Sequence, residues 1–270
     1  MDFVIKVENF DLAQTLECGQ CFRWHKTDGD GYIGVANRMQ LVLTQRGDEL
    51  SVDGAEKAEC AEWLCRYLSL DEPYREYKKI LSTDDVLRRA ITYAPGIRVM
   101  KQPLWETLCS FIISQNNNIT RIMRIVEKLC ETFGENLGGY YDFPTADTLA
   151  QLTIDDLKCL NCGYRDSYII DAAQRFSKGE IDETFLREAP LDDARAMVQT
   201  IKGVGPKVAD CALLFGAHRL DAFPRDVWIK RAMAQLFPNG LPDECLPLAG
   251  IAQQYIFHYA RSSGDVIKQV

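Results

Sequence analysis

The chain has 270 residues, 47% of them hydrophobic, enough to bury a substantial core as one large domain or two smaller ones. Its longest apolar stretches, such as Leu108–Ile113, fall far short of the roughly 20 residues that cross a bilayer, so no membrane span is expected. The formal net charge of -8 argues against indiscriminate adhesion to polyanions, which needs a basic face.

The N-terminal residues, Met1-Asp2-Phe3-Val4-Ile5-Lys6, lack both the basic-then-apolar pattern of a signal peptide and the Arg/Ser-rich character of a transit peptide. A cytoplasmic location is expected, at the nucleoid if the source is bacterial. Short β-prone runs follow at Phe3-Val4-Ile5-Lys6-Val7, Tyr32-Ile33-Gly34-Val35-Ala36, Gln40-Leu41-Val42-Leu43-Thr44 and Glu49-Leu50-Ser51-Val52, separated by Gly, Asn and Asp. They predict an antiparallel sheet.

From about Ala55 the apolar spacing turns helical, as in Trp63, Tyr67 and Leu70, then Val86, Ala90 and Ile91, with breaks at Pro73, Pro95-Gly96 and Pro103. Beyond Pro103 nearly everything reads as helix and short turn. Acidic residues mark helix starts at Asp155-Asp156-Leu157, Leu191-Asp192-Asp193-Ala194 and Pro224-Arg225-Asp226-Val227. The fold class is α+β: an N-terminal antiparallel sheet subdomain with flanking helices over 1–85, then a helical domain over 86–270.

The ten cysteines mostly sit in apolar helical contexts (Cys65, Cys109, Cys130, Cys211), as expected of buried free thiols in a reducing compartment. Two Cys-x-x-Cys pairs, Cys18/Cys21 and Cys159/Cys162, lie far apart with unlike flanks, so a zinc site is not expected.

Charge is unevenly distributed. Between Arg195 and Arg231, seven Lys/Arg (195, 202, 207, 219, 225, 230, 231) stand against three Asp, a local surplus of four positive charges suited to a nucleic-acid footprint. This stretch contains Val198-Gln199-Thr200-Ile201-Lys202-Gly203-Val204-Gly205-Pro206-Lys207-Val208. Val198 and Ile201 close one helix, Gly203-Val204-Gly205 makes a tight turn, and Pro206 fits the first position of the next helix. The predicted unit, about 195–218, is helix, hairpin, helix. Its unpaired amides around Gly203, Gly205 and Val208 form an anion site suited to a DNA phosphate; an ordinary αα-hairpin with a glycine cap is the plainer alternative.

Lys207 falls in the first turn of the second helix, where the dipole disfavours an ammonium and a neutral amine is a nucleophile. Asp226 follows nineteen residues later, within reach of a return loop over 218–224, although on its own it would read as a helix N-cap. Cys211, one turn beyond Lys207, shares its helix face.

Four ordered segments carry a resemblance. Gly203-Val204-Gly205-Pro206-Lys207-Val208-Ala209-Asp210-Cys211 with Pro224-Arg225-Asp226-Val227 resembles the signature of the helix-hairpin-helix DNA glycosylases, in their 8-oxoguanine branch. Gly19-Gln20-Cys21-Phe22-Arg23-Trp24, Ser114-Gln115-Asn116-Asn117-Asn118-Ile119 with Arg121, and Gly163-Tyr164-Arg165 resemble three further motifs of that family. The resemblance implies a bifunctional enzyme acting as a monomer on double-stranded DNA containing oxidised guanine, with Lys207 attacking C1′ and Asp226 stabilising the sugar cation.

It further implies that the carbonyl of Gly19 reads N7–H of the lesion and that Cys211 and Phe257 sandwich the base. Gln253 would take its Watson–Crick edge, Tyr164 would wedge the duplex, and Asn116, Arg121 and Arg165 would read an opposite cytosine. No cofactor is required; a structural monovalent cation on the carbonyls of Gln199, Ile201 and Val204 is implied. The C-terminal four-cysteine cluster of the endonuclease III branch is absent, so no iron–sulfur cluster is expected. Trp228 stands where eukaryotic members carry His, and Cys21 where Ser is usual. The alternatives are a glycosylase for alkylated purines, which would lack the lysine nucleophile, or a non-catalytic DNA-binding module.

Overall fold

The computed structural model describes residues 3–262. Five strands, β1 (Phe3–Lys6), β2 (Trp24–Lys26), β3 (Gly31–Ala36), β4 (Met39–Arg46) and β5 (Glu49–Asp53), form one antiparallel sheet in the order β1-β5-β4-β3-β2. Four of them lie where alternation placed them. β2 was not predicted: it has three residues and is defined by pairing Trp24 with Gly34 and Lys26 with Tyr32. In β4 and β5 the alternation turns Leu41, Leu43, Leu50 and Val52 inward, all fully buried.

The helices are α1 (Leu12–Leu16), α2 (Lys57–Tyr67), α3 (Tyr74–Leu81), α4 (Asp85–Tyr93), α5 (Leu104–Ser114), α6 (Ile119–Phe133), α7 (Ala146–Ala150), α8 (Ile154–Leu157), α9 (Arg165–Ser177), α10 (Glu183–Glu188), α11 (Leu191–Gln199), α12 (Pro206–Phe215), α13 (Val227–Leu236) and α14 (Ala249–Ser262). The sheet packs its inner face on Cys60, Leu64, Tyr67 and Leu68 of α2 and the residue after it, a core that also takes in Met100. Residues from Tyr74 onward, joined by Phe22, make the larger helical core. Among the described residues no helix is long and apolar enough to cross a membrane.

Two polar links fasten the N-terminal segment to the helices. Gln20, 1% exposed, donates from Nε2 to the carbonyls of Thr15 (2.9 Å) and Arg98 (2.7 Å). Its Oε1 accepts the Met100 amide at 2.9 Å, so the side chain is satisfied at both ends. Arg23 donates to the Tyr141 carbonyl at 2.6 Å and meets Glu106 at 3.4 Å. Burial pushes the Glu106 carboxyl up, against the pull of Arg23.

Candidate active site

Lys207 enters α12 one residue after Pro206, with extended Gly205 as N-cap (φ -92°, ψ 178°). Asp226 is the N-cap of α13: its Oδ1 accepts the Ile229 amide at 2.7 Å, while among the described residues no donor reaches Oδ2. The capping role and the site role therefore coexist in one carboxylate. Both residues line a single cleft together with Gly19, Cys211, Gln253 and Phe257. Six positions drawn from four separated segments thus meet in one place.

The Lys207 amine lies 4.7 Å from the centroid of the Phe111 ring, which lines the same cleft. Cys211 is 2% exposed, and burial pushes its thiol up to about 11 despite the nearby Lys207, so it is a neutral apolar wall at pH 7. Gly19 has φ +83°, and a Cβ built there would stand 3.8 Å from Cε1 of Phe257. Its conformation requires glycine, and Gln20 fixes the segment behind it. Free space in the cleft is about 50 Å³, room for a few waters, so lining side chains must swing aside to admit a purine. A roomier cavity of about 370 Å³ between the sheet and α6, lined by Arg23, His25 and Glu127 among others, shares no residue with it.

The hairpin between α11 and α12 begins where Val204 donates to the Ile201 carbonyl at 3.1 Å. Gly203 adopts φ +75°, and a Cβ there would lie 2.2 Å from the Tyr168 ring. Gly205 has open space on its Cβ side. Helical bonding into α12 starts with Ala209 donating to Gly205 at 3.0 Å; among the described residues the amides of Lys207 and Val208 find no acceptor. Those amides can hold an anion. Among the described residues no donor reaches the carbonyls of Gln199 or Val204, so the oxygens available at the turn fit a small cation. Arg195 bridges the two helices through Asp210 at 2.7 Å; burial pushes the Asp210 carboxyl up and Arg195 pulls it down.

The wedge and opposite-base candidates also converge. Asn118 caps α6 by accepting the Arg121 amide at 2.9 Å, and Arg121 donates to the Asn161 carbonyl at 3.0 Å. Asn116, at φ +46°, donates to the Tyr164 hydroxyl at 3.4 Å. Tyr164 is 50% exposed and packs edge-on to Tyr168, ring centroids 5.5 Å apart. Arg165 is 4% exposed and donates to the carbonyls of Gln115 and Cys162, each at 3.0 Å, and of Asn116 at 3.3 Å. Its guanidinium is thus committed to backbone in this conformation.

Residues 2–108 match the family model for the N-terminal domain of 8-oxoguanine DNA glycosylase, and 109–243 that for the HhH-GPD superfamily of base excision DNA repair proteins. A structure described as MBOgg1 in complex with a low-affinity DNA ligand is 38% identical, with a TM-score of 0.90, covering 98% of this chain and 96% of that one. The chain belongs to the 8-oxoguanine DNA glycosylase family. The Clostridium acetobutylicum 8-oxoguanine glycosylase/lyase, solved with DNA containing cytosine opposite 8-oxoguanine, is 33% identical with a TM-score of 0.87, covering 98% of both chains. The N-glycosylase/DNA lyase of Saccharomyces cerevisiae is 32% identical over 82% of this chain, which spans 66% of that enzyme's length.

Within this family framework, four residues of the site had no role assigned from sequence. Gln20 sits inside a segment quoted for the resemblance and Gln254 directly follows Gln253, each beside a residue that drew attention. Tyr168 lies one helical turn beyond Tyr164, a spacing that could have flagged it. Phe111 showed only as part of an apolar run. Trp228, the departure from the eukaryotic pattern, is 45% exposed at the start of α13 with the Arg231 guanidinium 6.0 Å from its ring.

Proposed function

We propose that the protein is a DNA glycosylase and abasic-site lyase that extracts 8-oxoguanine from duplex DNA. One observation carries this: the amine of Lys207 and the carboxylate of Asp226 line the same cleft as a positive-φ glycine, a buried thiol and a glutamine amide. The neutral amine attacks C1′, the C1′–N9 bond breaks with its electron pair leaving on the base, and Asp226 stabilises the positive charge that develops on the sugar. Loss of the amine's protons and opening of the ring give an imine. Removal of a C2′ proton then expels the 3′-phosphate by β-elimination.

An extruded guanine is distinguished from its oxidised form at N7, an acceptor in one and an N–H donor in the other. The Gly19 carbonyl is the acceptor that selects the donor form. Cys211 and Phe257 flank the ring, and Gln253 meets its Watson–Crick edge. On the other strand Tyr164 fills the gap, while Asn116, Arg121 and Arg165 address the widowed cytosine; Arg165 must exchange at least one carbonyl partner to do so. The amides at Gly203, Gly205 and Val208 hold a backbone phosphate, with a monovalent cation on the carbonyls of Gln199, Ile201 and Val204. The enzyme acts as a monomer, in the cytoplasm or at the nucleoid.

The test is incubation with duplexes carrying 8-oxoguanine opposite each base, with and without borohydride. Base release and a trapped covalent adduct are expected, fastest opposite cytosine. Lys207→Gln should abolish trapping while retaining duplex binding. Failure of the wild-type protein to release the base or to form an adduct refutes the proposal.

A further inference from the structure

Gln254 follows the edge-reading glutamine on α14 and lines the same cleft, and it is 3% exposed. Its Nε2 donates to Oε1 of Gln253 at 2.7 Å. Its own Oε1 is buried without a hydrogen-bond partner. A fully buried polar side chain that spends its donor on a neighbouring amide and keeps an acceptor in reserve is costly to retain unless something uses that acceptor.

The hydrogen bond also favours one way round for the Gln253 amide. An amide nitrogen carries only donors, so Gln254 Nε2 requires an oxygen opposite it. Turning both amides over would leave two N–H donors of Gln254 unpaired in place of one N–H and one carbonyl, and buried N–H groups are left orphaned more rarely than carbonyls, so the observed arrangement is favoured. Gln253 Oε1 retains its second lone pair, and Gln254 Oε1 is free. Two neighbouring carbonyl oxygens match the edge of a guanine-type base, which presents N1–H and the exocyclic N2 amine side by side. An adenine-type edge has a lone pair at ring nitrogen N1, which would be set against a carbonyl oxygen with no proton between them.

We propose that Gln254 orients the Gln253 amide and sets its own carbonyl oxygen beside it, so that the lesion's edge meets two carbonyl acceptors. This rests on the 8-oxoguanine reading above and extends it to a second residue of the lesion pocket. Gln254 acts before the lesion arrives, by fixing an orientation that Gln253 would otherwise share between two flipped states.

The experiment compares wild type, Gln254→Met, Gln254→Glu and Gln253→Leu with and without Gln254→Met, on duplexes carrying 8-oxoguanine, 8-oxohypoxanthine (which lacks the 2-amino group) or an abasic site. Gln254→Met, unbranched and of similar length, should lower kcat/KM on 8-oxoguanine roughly tenfold, on the scale of one lost pocket hydrogen bond. Its effect on 8-oxohypoxanthine should be smaller, and cleavage of the abasic site, which has no base to read, should be unchanged. In the Gln253→Leu background its further effect should be smaller than in wild type, because the part exerted through the Gln253 amide is already lost.

Gln254→Glu places oxygen against Gln253 Oε1 and should be the worse variant at pH 8. Relative to wild type it should recover as pH falls and the new carboxyl gains a donor proton. Equal losses on all three substrates, an additive double variant, or a flat pH ratio for Gln254→Glu would overturn the proposal. Absence of 8-oxoguanine release by wild type would instead sink the functional reading itself, so the two failures are distinguishable.

Discussion

Replacing the two hairpin glycines in turn by alanine separates folding from DNA grip. At Gly203 the backbone sits at φ +75°, which costs an alanine roughly 1–2 kcal/mol. The added methyl would also stand 2.2 Å from a Tyr168 ring carbon, and relief of such overpacking costs roughly 1–3 kcal/mol. A loss of about 3 kcal/mol corresponds to a melting point lower by roughly 6–12 °C in a protein of this size. At Gly205 the backbone is extended (φ -92°, ψ 178°) and the methyl meets nothing within 4 Å, so Gly205→Ala should fold and melt within about 0.5 kcal/mol of wild type.

The Lys207 and Val208 amides lack an acceptor among the described residues, and a methyl on the adjoining Gly205 is expected to crowd a phosphate held there. Losing one charge-assisted hydrogen bond to phosphate costs roughly 1.5–3 kcal/mol, or about 10- to 150-fold in Kd. Thermal melts and anisotropy titrations of a labelled duplex at one fixed salt concentration measure both quantities. Gly205→Ala binding as tightly as wild type would remove the phosphate from this turn. An unchanged melting point for Gly203→Ala would show that the Tyr168 contact is slack.

Gln20→Ala leaves the Arg98 carbonyl and the Met100 amide unpaired in a 1% exposed setting, while the Thr15 carbonyl keeps the Cys18 thiol, a loss of roughly 3 kcal/mol. Because the Gly19 segment loosens with it, the ratio of 8-oxoguanine to guanine excision should fall; a lower melting point with an unchanged ratio would separate Gln20 from lesion reading. Asp226→Asn keeps an acceptor for Ile229 and should melt like wild type, while single-turnover base release drops on the order of a hundredfold or more. A matching loss of duplex binding would make Asp226 structural.

His218 lies near Glu72 (3.5 Å), but its ring nitrogens have no hydrogen-bond partner, and burial pushes its pKa down from 6.5 to about 4. The unfolded chain therefore takes up a proton that the native imidazole refuses. Stability is lost as pH falls from 6.5 towards 4, by about 3 kcal/mol. His218→Asn, tolerated at φ +56°, should flatten that fall in denaturant titrations across the range, and equal pH slopes for the two proteins would refute the assignment.

The features legible in the sequence are those with local periods or fixed offsets. Strands β3 to β5 announce themselves by alternation, and the hairpin by two glycines and a proline at a helix start. The loop length that lets Asp226 return to Lys207 is also countable along the chain. What stayed hidden depends on partners far away in sequence. β2 exists only because β3 offers it an edge. Gln20 owes its role to the Arg98 carbonyl and the Met100 amide, nearly eighty residues on. Arg165 stands out in the sequence as a reader of the opposite base, yet it is buried and bonded to the carbonyls of Gln115, Asn116 and Cys162, because a guanidinium can satisfy several carbonyls at once. The resemblance placed the base-pocket residues; composition and periodicity alone reach only a phosphate-holding turn with an amine and a carboxylate near each other.

The Tyr168 ring touches the hairpin at Gly203 on one side and Tyr164 on the other. On the proposed roles, the turn that would hold a phosphate and the aromatic that would enter the base stack are joined through a single packed side chain. The interval along the duplex between held phosphate and probed base step would then be a dimension of the protein, set by ring packing like the opening of a calliper.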